Sequence, residues 1–577
     1  MNIKEYIKIN NIKEKFSASY VYIIITCMCV LGLILYNFIE PGAAVWKIGY
    51  VDRNDTTMDF FNTVAASNNY TLREIFTDKI ELVTYPPVAT VFFWVYSRFL
   101  PEYVVDHNPS GFELRDNQFA LYPFLLLWIF MMIWTYDLVM NKKEGTHIEK
   151  QWFALSCVLS YGFLTGIERG NAIMLCPMLV LAFLSWYDSS NKVLREIGLI
   201  ALALAAGMKV YPAIFGVLLL TEKKYREAIR TIIYGAIAMF GFPLYYGGFT
   251  SVVTWLGNLV SYTEVNDPTY NLAGCSFRLI IKSILVLFGF DKAILDNAQS
   301  MATTVGYIIL IVGILFCFKT DKLWKKITLL SCVSIQAFSL SFDYCYSFMI
   351  FPMIYLCNED PKLEKRDSKI AFILLCLILV PFILPDVITF PYQQSGFDVT
   401  RLVKQIALLI LEFYLIYDAG KAIFIDVVSK LISKWERPLA TILSISLILI
   451  MFSPIVYTVK RDTDYLNANP DCILIGHLSD GNGSSLVHSL YLVDDSLRES
   501  LQYFYHIPDK NFIDSSSVEG MRKMAEWTKS LIVDEDVYWQ LCNVYDGDAM
   551  YIWENGMDGD RALVKREKNF CLYGSNK

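Results

Sequence analysis

Four short polar clusters stand beside apolar stretches, and their residue types limit the chemistry they could do. The first reads Asp52-Arg53-Asn54-Asp55, then Thr56-Thr57-Met58-Asp59-Phe60-Phe61-Asn62. Asp59 lies between Met58 and two phenylalanines. An acid flanked in this way suits the mouth of a cleft, where partial desolvation favours general-base work. It reads equally as a helix N-cap or a solvated acid. The second is Thr84-Tyr85-Pro86-Pro87. Paired prolines force an extended entry and then fit the first turn of a helix. Tyr85 would be the wall of a site or a hydrogen-bond donor. The third is Gly166-Ile167-Glu168-Arg169-Gly170-Asn171. Glu168 and Arg169 are either a self-paired surface couple or the source of a guanidinium for a phosphate. The fourth is Met208-Lys209-Val210-Tyr211-Pro212, where Lys209 interrupts an apolar run and must snorkel, pair or bind an anion. A later connection adds Asn271, Ser276 and Arg278.

One carboxylate and several cations on one side suit a lipid-phosphate substrate. The phosphate would rest on Arg and Lys, and the carboxylate would deprotonate an incoming hydroxyl. That is glycosyl transfer from a lipid-linked sugar. Such donors reach a membrane enzyme through the bilayer. Motifs for other chemistries are missing from the sequence: no Gly-rich phosphate loop, no HExxH, no GxSxG and no CxxC. His477, His488 and His506 read as surface or packing residues. No metal and no cofactor is expected.

The elements that must position these residues are membrane helices. The chain has 577 residues, 55% of them hydrophobic and only 19% charged, with mean hydropathy +0.40. A single soluble domain and a disordered chain are both excluded. The predicted fold is an α-helical polytopic bundle of roughly 11–14 spans with a small C-terminal α/β or α+β soluble domain. Residues 1–457 form the membrane part and 458–577 the tail. The run 20–38 is too long for a cleaved signal and predicts an uncleaved first helix. Further runs cover 88–100, 119–140, 152–164, 173–187, 197–206, 213–220, 229–246, 279–290, 304–318, 327–340, 348–356, 370–384, 402–417 and 439–457. Several are short enough to be broken or re-entrant. Cysteines within the runs read as small hydrophobes.

Charge fixes the sides. Basic residues cluster in the connections at 142–150, 192–195, 223–226, 319–326, 362–366 and 430–437. The positive-inside rule makes these connections and the N-terminus cytoplasmic. Residues 165–171, 208–211, 247–276, 341–346 and 386–400 then face outward as loops. Parity fails once, because 37–84 and 102–117 would lie on opposite sides of the run 88–100, unless that run is re-entrant. The tail carries 12 Lys and Arg against 20 Asp and Glu, so the net negative charge belongs to it and the membrane part is nearly neutral. No basic domain suggests nucleic acid. The tail alternates strand-like runs (472–476, 490–493, 550–554, 563–566) with helical ones (496–505, 518–530), and is expected outside the cell.

The runs MDFFN, TYPPVATVFFWVYSRFLP, ERGN and GMKVYPAIFGVLLLTEKKYREA together resemble bacterial glycosyltransferase family 87. The resemblance covers about residues 54–278. That family comprises polyprenol-phosphate-mannose-dependent α-mannosyltransferases of the GT-C superfamily. The resemblance implies Asp59 as catalytic base, with Asp55 or Asp52 as its substitute. It matches Tyr85-Pro86-Pro87 to the family's helix start and Lys209 and Pro212 to its Lys-x-x-Pro break. Asn271–Ser276 loosely matches an Asn/Ser loop. Lys209 and Arg169 would bind the donor phosphate, while Asn171 and Tyr85 would orient the sugar. Asp55, Glu168, Tyr211, Asn271 and Arg278 complete the expected substrate-binding set. Two stretches depart from the family. Its Gly-Gln-x-Asn turn is Arg169-Gly170-Asn171 here, and Ser341–Tyr346 lacks the family's His. The implied partners are a polyprenyl-phosphate sugar, a glycan, glycolipid or cell-wall acceptor, and the lipid bilayer. The implied location is the cell membrane. A transporter or flippase of lipid-linked sugars is the alternative.

Overall fold

A computed structural model describes residues 17–39, 56–78, 85–105, 109–171, 174–265, 274–287, 292–336, 341–384 and 399–421, and five strands between 473 and 575. The bundle is helical. Among the described residues, three helices are long and apolar enough to cross a membrane. They are α1 (Ala18–Ile39), α7 (Gln118–Lys142) and α13 (Tyr225–Val265), with candidate spans Ala18–Tyr36, Gln118–Lys142 and Tyr225–Asn258. Between α1 and α7 lie short helices: α2 (Met58–Asn68), α3 (Leu72–Thr77), α4 (Pro87–Arg98), α5 (Glu102–Val105) and α6 (Gly111–Asp116).

The remaining helices carry the chain between two ends of the bundle, several as broken pairs. They are α8 (His147–Val158), α9 (Tyr161–Arg169), α10 (Leu175–Trp186), α11 (Lys192–Met208), a 3₁₀ segment at Tyr211–Gly216 continued by α12 (Val217–Thr221), α14 (Phe277–Leu287), α15 (Lys292–Cys317), α16 (Leu323–Gln336), a second 3₁₀ segment at Asp343–Met349 continued by α17 (Ile350–Glu359), α18 (Arg366–Leu379) and α19 (Val399–Gly420). Within the described residues, each expected apolar run up to residue 417 lies mostly on helix, though the run 370–384 leaves helix after Leu379. The run 439–457 lies outside the described residues.

The basic connections meet at one end. Ala18 donates its amide to the Pro361 carbonyl at 2.7 Å, and Ser17 reaches Glu149 at 3.0 Å. Asn358 donates to the Lys142 carbonyl, while the Lys142 ammonium lies over the Tyr355 ring. Tyr187 bonds Glu222, and Lys325 pairs with both Asp367 and Asp418. Contacts thus gather the clusters at 142–150, 322–325 and 358–367.

α4 is short, and the chain after it returns to the start of α2. α4 has 12 residues and rises about 18 Å, short of the roughly 30 Å of hydrocarbon. It starts beside Lys209. It ends at Arg98, which donates to the Asn68 and Tyr70 carbonyls at the far end of α2. Arg115 then returns to the Thr56 carbonyl at 3.4 Å. Residues 56 and 115 therefore meet at the same end. Capping boxes at Thr71/Glu74 and Ser110/Glu113 start α3 and α6. Phe60 locks the layer to α4 and α7, with ring centres 4.8 Å from Tyr96 and 4.8 Å from Phe124. Each such pair contributes about 0.5–1.5 kcal/mol beyond burial.

One expected loop is helix. α13 breaks at Gly247–Gly248, where Gly248 has φ 66°, and resumes to Val265. The restart follows from an amphipathic pattern. Val252 and Trp255 are buried, while Phe249, Val253 and Leu256 face out. Trp255 packs with Ile75 and Phe76 of α3. All ten described cysteines are free and nine are buried, which fits their reading as small hydrophobes.

Beyond residue 421 only strands are described. β1 (Ile473–Leu478) pairs antiparallel with β2 (His488–Val493), which runs parallel to β3 (Phe512–Asp514). β4 (Arg561–Glu567) and β5 (Phe570–Ser575) form a second antiparallel pair. The strand-like run 550–554 and both helical runs of the tail lie outside the described residues.

Candidate active site

The site is built where α2 begins and where α9 and α11 end, near the Asp343–Met349 segment. α9 stops at Gly170, whose φ of 66° is the left-handed cap that glycine adopts most readily. The Asn171 amide folds back to the Gly166 carbonyl at 3.3 Å. This turn throws Arg169 and Asn171 to one side. Opposite them, the Thr57 amide donates to the Glu168 carbonyl at 2.7 Å, and the Thr56 hydroxyl reaches the Glu168 carboxylate at 3.4 Å. α2 starts directly after this clasp and presents Asp59 in its first turn.

Asp59 is the centre. Its Oδ1 accepts from Arg169 Nη2 at 2.5 Å, and its Oδ2 accepts from Asn171 Nδ2 at 2.7 Å. The side chain keeps 22% of its surface exposed. Each carboxylate oxygen has about two acceptor positions, so one on each remains for a ligand hydroxyl. The neighbours of the carboxylate are donors, not hydrocarbon. Phe60 and Phe61, which suggested a greasy mouth, turn into the core instead.

Lys209 follows the last turn of α11, where Pro212 prevents the helix from continuing. Its ammonium stands 5.3 Å from the centre of the Tyr85 ring. Among the described residues it forms no ion pair, and the charge of Asp59 reaches it. Tyr211 is buried, and its hydroxyl lies 3.3 Å from Cys345 Sγ. Tyr344, beside Cys345, feels the charges of Asp59, Tyr85 and Arg169.

Asp59, Tyr85, Arg169, Asn171, Lys209 and Tyr211 thus converge. Glu168 belongs to the same turn, but it faces Thr56–Thr57 and orients the start of α2. It is not self-paired with Arg169. Arg278 opens α14, just past the bridge between Gly274 and Phe342, and makes no ion pair with Asp59. Asp52, Asp55 and Asn271 lie outside the described residues. Sequence reasoning missed Tyr344 and Cys345. Their signal was a Tyr-Cys-Tyr run in a stretch read mainly for the His it lacks. No group of three or more His, Cys, Asp or Glu suited to a metal occurs among the described residues.

Residues 84–339 match the model of glycosyltransferase family 87. The matched segment is a little under half of the chain, and over it the chain is similar to that family. This similarity and the three membrane-type helices agree with a membrane-bound glycosyltransferase. The match takes in Tyr85, Arg169, Asn171, Lys209 and Tyr211, whereas Asp59 precedes it and joins the site through space. No curated protein and no solved structure matches the chain.

Proposed function

We propose that the enzyme moves mannose from a polyprenyl-phosphate donor to a hydroxyl of a glycan, glycolipid or cell-wall acceptor on the outer face of the cell membrane. The observation that carries this reading is the juxtaposition of a doubly held carboxylate, Asp59, with the Lys209 ammonium, which has no ion-pair partner among the described residues. A cation so placed suits the donor phosphate. Arg169 and Asn171 hold Asp59, and Arg169 adds charge on the phosphate side. The ring of Tyr85 walls the sugar.

The reaction balances without a cofactor. Asp59 takes the proton of the acceptor hydroxyl as its oxygen attacks the anomeric carbon. The bond from that carbon to the phosphate oxygen breaks, and its electron pair leaves with the polyprenyl phosphate. Asp59 then returns the proton to water. A base on one face and a phosphate on the other give inversion at the anomeric carbon.

The test is transfer of radiolabelled mannose from polyprenyl-phosphate mannose in membranes holding the full chain. Asp59→Asn is expected to lower turnover by about two orders of magnitude or more. Lys209→Ala is expected to weaken donor binding. Near wild-type turnover in Asp59→Asn would remove the base assignment. Unchanged donor binding in Lys209→Ala would remove the phosphate assignment. Movement of the sugar-lipid across the bilayer without a new glycosidic bond would replace the reading altogether.

A further inference from the structure

Among the described residues Lys209 has no ion pair, so the chain around it must hold its ammonium in place. The break at which it stands is clamped from two sides. On one side the last turn of α11 presses on α4, where a Cβ on Gly207 would stand 2.5 Å from Val88 Cγ2. Val88 lies in the first turn of α4, directly after Tyr85-Pro86-Pro87. On the other side Tyr211 packs on the second 3₁₀ segment, Asp343–Met349. Its ring centre is 5.7 Å from that of Phe348, and its hydroxyl is 3.3 Å from Cys345 Sγ. Tyr211 and Cys345 are only 2% and 1% exposed, so no solvent competes for this contact.

Cys345 is a fixed post. Its amide donates to the Phe342 carbonyl at 2.8 Å, and Cys275 Sγ donates to the same oxygen at 3.1 Å. Two residues before it, Asp343 Oδ2 accepts from Arg401 Nε at 2.6 Å and from the Tyr161 hydroxyl at 2.8 Å. Two residues after it, a Cβ on Gly162 would stand 2.3 Å from the Ser347 amide nitrogen. A segment gripped on both sides of Cys345 gives its thiol a fixed direction. The break it meets is less regular. Lys209 has extended backbone, and the 3₁₀ segment at Tyr211 starts without a side-chain cap. A buried phenol needs a partner, and a thiol serves as weak donor or weak acceptor.

We infer that Cys345 is a positioning residue for donor binding: its thiol fixes Tyr211, and through Tyr211 it fixes the Lys209 ammonium for the donor phosphate. This role rests on the donor reading above. Only Val210 separates Lys209 from Tyr211, so a tilt of the Tyr211 ring shifts the base of the Lys209 side chain.

The experiment uses the full chain in lipid nanodiscs. Affinity is measured for polyprenyl phosphate without sugar and for polyprenyl-phosphate mannose, alongside the melting temperature. Cys345→Ala is expected to weaken both lipids by the same factor, about tenfold, because the phosphate is common to them. Cys345→Ser restores a hydrogen-bonding group and should bind close to wild type. In a Lys209→Ala background, Cys345→Ala should bring no further loss. A purely structural cysteine would lower the melting temperature while the folded molecules kept their affinity. If Cys345→Ala does not fold, Tyr211→Phe keeps the ring, removes the same contact and carries the test with the same expected loss. Serine binding as weakly as alanine, or a full further loss in the Lys209→Ala background, overturns the inference. If wild type binds neither lipid, the donor reading fails and this inference falls with it. If wild type binds both, and Cys345→Ala and Tyr211→Phe bind them as tightly, only the inference fails.

Discussion

Gly170 and Thr57 approach so closely that a Cβ on Gly170 would stand 2.9 Å from the Thr57 Cα. Both residues have positive φ, 66° and 65°. This contact joins the end of α9 to the start of α2, and so joins Arg169 to Asp59. Gly170→Ala meets two obstacles at once. The left-handed backbone costs about 1–2 kcal/mol for a residue with a Cβ, and the neighbour is backbone that cannot rotate away. The expected outcome is a lowered melting temperature and a larger fractional loss of transfer activity. Gly235→Ala is the control. Its Cβ would meet nothing within 4 Å inside helix α13, so thermal stability should hold or rise slightly. Equal behaviour of the two variants would refute the contact's importance.

Arg169 and Asn171 bind separate oxygens of one carboxylate, so their effects should not add. Arg169→Lys keeps the charge but loses the planar fork, and transfer is expected to fall roughly tenfold. Asn171→Ala is expected to cost about as much, since a hydrogen bond to a charged group contributes about 1.5–3 kcal/mol. In the double variant Asp59 has lost both anchors, and the combined loss should differ from the product of the two by a measurable coupling. Strict multiplicativity in the mannose-transfer rate would show that they act on different groups.

The sequence displayed the members of this site but not their pairing. Asp59 and Arg169 are 110 residues apart, and the clasp of Thr56–Thr57 on Glu168, with the close approach of Gly170 to Thr57, brings them together. The clasp's shorter bond, from the Thr57 amide to the Glu168 carbonyl, is backbone and leaves no trace in residue types. Glu168 looked like a partner for Arg169 because they are adjacent, yet successive helical residues point in different directions. The apolar runs were legible because helix follows hydrophobicity closely here. The helix after Gly248 was not, because two consecutive glycines ordinarily signal a loop. Tyr344 escaped because nothing in its spacing separates a site tyrosine from a core one.

Asp360 gives the fold a pH dependence at the basic end of the bundle. Burial alone would raise its carboxyl. The amides of Glu364 and Lys365, at 3.0 and 3.1 Å, and the Ser368 hydroxyl outweigh burial and hold it below the usual carboxylate range. A depressed folded-state value means that the anion is favoured by folding. The stabilisation is thus fully present above the unfolded-state value of about 3.9 and is lost as pH falls through the folded-state value. Wild type should melt above Asp360→Asn at neutral pH, and the gap should close below about pH 4. A gap that stays constant from about pH 7 down to about pH 3 would mean that the carboxylate charge plays no part.

Asp343 and Arg401 form an ion pair with side chains only 3% and 4% exposed. Buried pairs stabilise weakly as pairs, but breaking one leaves an uncompensated charge. Arg401→Met should therefore cost about 3–5 kcal/mol and release the segment that carries Tyr344. The double variant Asp343→Asn/Arg401→Met removes both charges and should recover part of that stability. The two readouts should then separate. Melting temperature rises from the single to the double variant, whereas mannose transfer stays low, because the ionic anchor between Arg401 and the segment is still missing. If transfer recovers in parallel with stability, the pair serves folding alone. If the double variant is no more stable than Arg401→Met, the buried charge of Asp343 was not the source of the damage.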